Sequence, residues 1–365
     1  MPTQTNTIPV FFSSDDNYLP FLAVSMRSLI DNLSPDARCD IHILNNGLNP
    51  SRAQHLLQMA TDTVRVHLVD VSREITPLAE KLNLRDYYTA SIYFRLFIPS
   101  LFPQYHKAIY LDADIAVNGD ISRLYRTQLG NRLVGAVPDA IIASHRDFQG
   151  YAEAGLGIPH RRYFNSGVML MNLDQFRMQQ IERKFVYLLN TYHFDTICPD
   201  QDYLNVLCRG QVLYLDQGWN KMSIDDSYPG TPDLVHYNMF YKPWQYRDIC
   251  YQEYFWKYAQ RTPFYEEIRR MQREFGWKGG TGICWPTARC TGTPAASVRR
   301  TTTSAVCCKA GPPMRRWNGS GHMKHKKPMP ERLEIQKKIR ELEAAGGESF
   351  YFDVEPDPPG HPLTP

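Results

Sequence analysis

Long apolar runs are missing from this chain. Nothing in its 365 residues approaches the ~18 consecutive apolar positions of a membrane-spanning helix, and the opening MPTQTNTIPV lacks the basic start and apolar core of a secretory signal. A cytoplasmic protein is expected. Cysteines in short-spaced pairs are also lacking through the first two-thirds, where Cys39, Cys198, Cys208 and Cys250 stand scattered as reduced thiols do; Cys284, Cys290, Cys307 and Cys308 miss the C-x2-C spacing of a zinc site. Three signatures of α/β enzymes are absent. Without G-x-G-x-x-G at the first strand–helix turn, a dinucleotide-dependent oxidoreductase is disfavoured; without GK[ST] and G-x-S-x-G, so are a P-loop phosphotransferase and an α/β-type serine hydrolase. Finally, acids are missing from residues 275–330, which hold ten Lys or Arg. Without that stretch the formal net charge of +3 becomes −7, with 31 basic against 38 acidic residues, so the main body is not built to bind nucleic acid.

What is present suits a soluble globular protein: 43% hydrophobic residues can close a full core. Ile8–Phe12 reads as a buried strand, followed by the loop SSDDN and then Leu22, Met26, Leu29, Ile30 and Leu33 at helical spacing. Cys39–Leu44 and Val64–Val69 read as further strands with a helical stretch between them. This β-α-β-α-β alternation implies an α/β fold with a mixed, mainly parallel sheet flanked by helices, whose ligands sit beyond the carboxyl ends of the strands. Residues 108–111, 133–137 and 168–171 read as later strands. The globular pattern fills residues 1–275. Residues 276–329 form a basic Gly/Pro/Thr-rich linker without hydrophobic period, expected to be disordered, and residues 330–365 a short helix with a proline-rich tail.

Chemistry concentrates where strands end. Asp112 and Asp114 flank the small Ala113 after the strand Ala108–Leu111, and residues two apart in an extended backbone point to one side, so both carboxylates can converge on a hard cation, Mg²⁺ or Mn²⁺. A bare D-x-D is more often a pair of solvated acids. Asp15-Asp16-Asn17 follows the opening strand, where an α/β sheet receives a nucleotide or a helix receives its cap. Pro199-Asp200-Gln201-Asp202 clusters two carboxylates and an amide at a helix start. His236, after Leu234-Val235, can complete a coordination shell, and Lys242 can meet a phosphate as a point charge.

Taken in order, FFSSDDNY, YFRLFIP, YLDADIAV, YFNSGVMLMNL, DQDYLN and HYNMFYKPW resemble the motifs of glycosyltransferase family 8, retaining enzymes of the GT-A fold, and among them the bacterial lipopolysaccharide galactosyl- and glucosyltransferases. The likeness spans roughly residues 8–260. It implies a Mn²⁺-dependent hexosyltransferase that uses a UDP-sugar, with the metal on Asp112, Asp114 and His236. It also implies Asp15 near the uracil, Asn17 near the ribose, Arg95 close to the donor and Lys242 on the diphosphate. Asp139, Asn165, Asp200 and Gln201 would surround the donor sugar, with the amide of Gln201 beneath the anomeric carbon, where retaining hydrolases place a carboxylate. The acceptor would be a glycan, a lipid-linked sugar or a polysaccharide, and the basic segment a peripheral contact with the inner face of the membrane. The chain departs from the pattern at Met239, where several family members carry glycine. The competing expectation is a sugar-nucleotide- or carbohydrate-binding protein that keeps the fold without the chemistry.

Overall fold

The computed structural model describes residues 7–78, 90–191, 196–239 and 242–277. Almost all of the expected basic linker, and the whole of the expected C-terminal helix and tail, lie outside the described residues. Strand β1 (Thr7–Ser13) runs into α1 (Leu19–Asn32), which has proline in its first turn. Then follow β2 (Arg38–Asn45), α2 (Pro50–Leu57) and β3 (Val64–Asp70). The start of α2 is set twice over: Pro50 carries no N–H to satisfy, and the Asn49 side chain accepts from the backbone N–H groups of Ser51 and Arg52. Next come β4 (Lys107–Leu111), β5 (Ile115–Val117), β6 (Val134–Pro138), β7 (Phe164–Asn172), β8 (Val212–Tyr214), β9 (Lys221–Met222) and β10 (Leu234–His236).

Seven strands form one sheet in the order β3-β2-β1-β4-β7-β6-β8. All neighbours in it are parallel except across β7, which lies antiparallel to both β4 and β6. The strands are apolar on both faces because helices cover both. On β1, Val10 and Phe12 enter one core and Phe11 the other; on β4, Ile109 and Leu111 face one way and Ala108 and Tyr110 the other; on β7, Val168 and Leu170 oppose Met169 and Met171. That alternation is the period-two geometry of a strand buried on both sides.

The apolar tripeptide after Asp114 does not continue β4. It forms β5 in a second sheet of three strands, ordered β5-β10-β9, in which β10 runs antiparallel to β5 and places His236 opposite Ile115. Hydroxyls from α1 hold this small sheet to the large one. Ser25 Oγ lies 2.7 Å from the Ala113 carbonyl and 2.9 Å from that of Ile115, and the Val117 N–H donates to Ser28 Oγ at 2.8 Å. Both serines are fully buried on an otherwise apolar helix face.

Away from these elements, His42 on β2 stacks on Phe11 and His67, each at 4.8 Å between ring centroids, with Nε2 3.0 Å from the Tyr105 hydroxyl. Burial, with His67 beside it, pushes its pKa from 6.5 down to about 4 against the opposing pull of Asp40. On acidification the unfolded chain takes up this proton first. The stability contributed by the neutral ring is therefore complete above about pH 6.5 and lost progressively toward pH 4. His42→Phe is expected to flatten the acid side of the stability profile by up to about 3 kcal/mol. Urea unfolding at pH 7 and pH 4.5 measures it, and an equal loss in both proteins would exclude His42 as the source.

Candidate active site

Asp112 ends β4 and Asp114 precedes β5, so the two acids sit in the short link between the sheets. The Asp112 N–H donates to the Gly167 carbonyl on β7 at 2.7 Å, and the Tyr237 N–H donates to the Asp114 carbonyl at 2.9 Å. The antiparallel pairing of β10 with β5 then brings in His236, whose Nε2 lies 3.2 Å from Asp114 Oδ1 and 3.7 Å from Asp112 Oδ2. One ligand atom from each of the three residues falls within 4.8 Å of the others.

Three observations fit this group to a divalent cation. His236 Nε2 is buried and aimed at two carboxylates, 3.2 Å from Asp114 Oδ1 and 3.7 Å from Asp112 Oδ2. Gly167 leaves the space open: a Cβ there would stand 2.3 Å from His236 Cε1 and 2.5 Å from Asp112 Oδ2, inside the cluster. Among the residues lining the cavity, Asp112, Asp114, Asp139 and Asp200 outnumber the cations Arg95 and Lys242 by two charges, the deficit a divalent ion makes up.

The electrostatics below the cluster are set by Arg95, from the helical turn Ala90–Phe97 and only 3% exposed. Its Nη2 donates to Asp112 Oδ1 at 2.9 Å, its Nε lies 3.2 Å from Asp200 Oδ2, its Nη1 donates to the Ser166 carbonyl at 2.7 Å, and the guanidinium lies 4.2 Å from the centre of the Tyr110 ring. Burial pushes the Asp200 carboxyl up to about 6 against the pull of Arg95, with Asp112 adding to the rise. Asp114 goes the other way: burial would raise it, but Lys242 and His236 outweigh burial and hold it well below the usual carboxylate range. Lys242 Nζ bonds Asp114 Oδ2 directly.

Behind the metal-type cluster lies a second one made of amides and acids. The helix Pro199–Leu207 begins with proline, carries Asp200 and Asp202 in its first turn, and lies against β7. Gln201 Oε1 accepts from the Ser166 N–H at 2.8 Å, and Gln201 Nε2 donates to Asp139 Oδ2 at 3.1 Å. Asn165 Nδ2 donates to the same Asp139 oxygen at 3.0 Å. The other oxygen, Asp139 Oδ1, caps the helix Ala140–Ser144 by accepting from Ile141 and Ile142 N–H. Asp202 points elsewhere, accepting from the Tyr151 and Tyr163 hydroxyls, each at 2.6 Å, and from the N–H groups of Ile197 and Cys198. It fixes the strand of chain that leads into the helix.

Thus one cavity gathers Arg95, Asp112, Asp114, Asp139, Asn165, Asp200, Gln201, His236 and Lys242, from six separate stretches of sequence. Asp15 and Asn17 are not in its lining. Asp15 Oδ1 accepts from the N–H groups of Asn17 and Tyr18 at 3.0 and 3.1 Å, shaping the entry to α1, while Asn17 is exposed and Tyr18 lines the cavity in their place. Met239 also lines it, with φ of 51°, a left-handed conformation that glycine adopts freely. The glycine of the family pattern is thus explained by backbone geometry, and the local bend survives in this chain despite the side chain. Ser25, Ser28, Gly167 and Asn220 were not picked out from sequence. Two serines three apart on an apolar helix face were a usable signal; Asn220 sits in no motif.

Comparison with known proteins decides the class. The model of the family described as glycosyl transferase family 8 matches residues 9–248. The chain belongs to that family. It is 28% identical over 217 residues to a putative glycosyltransferase of Haemophilus influenzae, covering 59% of this chain and 64% of that protein, so the match spans less than two thirds of that relative. It is 27% identical to the lipopolysaccharide 1,2-glucosyltransferase of Escherichia coli, covering 72% and 80% of the two chains. Among solved structures, the galactosyltransferase LgtC, in complex with donor and acceptor sugar analogues, superposes with a TM-score of 0.61 at 25% identity over 72% of this chain and all of that one. The bifunctional glycosyltransferase WbbM gives 0.64 at 25% identity over 75% and 53%. The chain thus carries a glycosyltransferase domain of the GT-A fold.

Gly167→Ala tests the cation cradle. The added methyl is expected to weaken divalent-cation binding about a hundredfold, since it enters the coordination space itself. Titration calorimetry measures the loss, and unchanged affinity would place the ion elsewhere.

Proposed function

We propose that the enzyme moves a hexose, glucose or galactose, from a UDP-sugar to a glycan, lipid-linked or polysaccharide acceptor, with Mn²⁺ and with retention of the donor's anomeric configuration. The observation that carries the metal reading is the buried Nε2 of His236 facing Asp112 and Asp114 in one cavity with Asn165 and Gln201. The donor class and the hexose are supported by membership of the family and by relatives that bear the names of glucosyl- and galactosyltransferases.

Asp112, Asp114 and His236 would hold the cation, which when bound neutralises charge on a departing diphosphate. Lys242 adds a second positive charge at the same place, released from Asp114 to the phosphates. Beneath the sugar, Gln201 offers an amide, a poor nucleophile held rigid by Ser166, Asn165 and Asp139. The nearby carboxylates are engaged as well: Asp139 accepts four hydrogen bonds and Asp200 is pinned by Arg95 and Ser166. These constraints favour a front-face route, in which the leaving diphosphate guides the acceptor hydroxyl and Gln201 and Asp139 steady the positive charge that grows on the sugar. Asp15 and Asn17 are assigned to the nucleoside, which requires the turn before α1 to meet the base from outside the cavity. The basic segment of residues 276–329 would bring the enzyme to an anionic membrane surface that carries the acceptor.

A hydrolysis screen across UDP-glucose, UDP-galactose and their N-acetyl forms tests the whole reading. Turnover of one UDP-hexose with Mn²⁺, abolished by Asp114→Asn and by chelator, is expected; full turnover in excess chelator refutes the metal role, and binding without any turnover supports a non-catalytic sugar-nucleotide-binding protein. Within the active enzyme, Gln201→Ala is expected to cut kcat by about a hundredfold while KM moves little, because its contacts tighten in the transition state. A change confined to KM would make Gln201 a binding residue only.

A further inference from the structure

The metal reading leaves open what makes His236 a ligand in place of a hydrogen-bond donor to Asp114. A neutral imidazole carries one proton, and if it sat on Nε2 the ring would bond the acids and have no lone pair for a cation. The answer lies in a chain of side-chain amides whose orientations are dictated by two backbone N–H groups. The Ser166 N–H meets Gln201 at 2.8 Å and the Gly167 N–H meets Asn165 at 3.0 Å; a backbone N–H only donates, so the atoms it meets are Gln201 Oε1 and Asn165 Oδ1. Asn165 Oδ1 also contacts Asn220 at 2.9 Å, so the Asn220 atom there must be the donor, Nδ2. The remaining Asn220 atom is then Oδ1, an obligate acceptor, and it lies 3.0 Å from His236 Nδ1. The proton is thereby placed on Nδ1, and Nε2 is left bare toward Asp112 and Asp114.

We infer that Asn220 is a positioning residue that fixes the tautomer and ring orientation of His236 for cation binding, linking the metal cluster to the donor-sugar amides Asn165 and Gln201. The inference rests on the metal reading above. Asn220 suits the part: it is 3% exposed, ends the helical turn Gln217–Asn220 whose start is capped by Asp216, and precedes β9, which pairs in parallel with β10 and sets Met222 beside His236. It touches neither the cation position nor the donor and acts only through His236 and Asn165. Outer partners of metal-bound histidines commonly control affinity in this way.

The test compares Asn220→Leu, which removes the acceptor, with Asn220→Asp, which keeps an oxygen at Nδ1 but gives up the donor to Asn165. In metal-free protein at pH 8, the ring ¹⁵N shifts of labelled His236 are expected to show a protonated Nδ1 in the parent protein and in Asn220→Asp. In Asn220→Leu the proton moves to Nε2, where Asp114 Oδ1 accepts it. The Mn²⁺ dissociation constant, read by electron paramagnetic resonance of the free ion, is expected to rise about 10–100-fold for the Leu variant and less than about threefold for the Asp variant. A Leu variant with the parent tautomer and affinity overturns the inference, as does an Asp variant that loses affinity as far as the Leu variant does. Should the Leu variant fail to fold, a proton on Nε2 in the Asp variant overturns it alone. A parent protein that binds no Mn²⁺ refutes the metal reading separately, since the tautomer is observed without metal.

Discussion

The burial of one guanidinium beneath a group of acids is the constraint on which the site depends. Arg95 is removed from water almost completely, at a desolvation cost that only good pairing recovers, and it is paired on every side: Asp112 above, Asp200 beside, the Ser166 carbonyl behind and the Tyr110 ring below. Removing such a partner leaves an uncompensated buried charge, typically a loss of about 3–5 kcal/mol. The arrangement makes three sequence-distant elements mutually obligatory, because the turn around Arg95, the end of β4 and the start of the Pro199–Leu207 helix each carry part of one charge balance. It also explains why Asp112, with 26% of its side chain open to solvent, keeps that side chain aimed at the cluster.

Around that core the sheet supplies direction. Parallel strands β1 and β4 deliver their carboxyl ends to one edge, the usual receiving edge of an α/β sheet. β7, reversed in the middle, starts at that edge and contributes Asn165, Ser166 and Gly167 from its beginning. The small sheet then folds over the top, and the serines of α1 substitute for strand neighbours that β5 lacks. The two cores, one on each face of the large sheet, keep these pieces from sliding against each other.

Much of this was legible in the residues. Alternation of strand and helix announced the α/β class, because it rests on local geometry; the spacing of Asp112 and Asp114 about a small residue only allowed a paired acid site, since a bare D-x-D is more often solvated. The run of motifs announced the family. Other features were not legible, for a physical reason. The partnership of His236 with Asp114 was implied by the resemblance alone, because it depends on a strand pairing between residues 115–117 and 234–236 that no local pattern shows. Asn220 carries no pattern of its own; its meaning comes from the amide chain it joins. Asp15 and Asn17 sit at the expected strand end, but the side chain of Asp15 spends itself on the local turn. Residues 278–365, whose composition was the oddest part of the sequence, fall outside the described structure.

The wide separation of the site's parts has a consequence for how the protein comes into being. Asp112 and His236 are roughly 120 residues apart, and translation at ~5–20 residues per second separates their emergence by about ten seconds. During that interval the nascent chain holds both acids but not the imidazole, nor the strand that carries it. A cation therefore cannot template folding here as it does in small zinc modules. Complete ligation of a cation by the proposed residues would wait until β10 has zipped onto β5, among the later long-range pairings the topology requires. An ion held as proposed would then be captured only by finished topology, and whatever free energy it contributed would be spread over the whole domain.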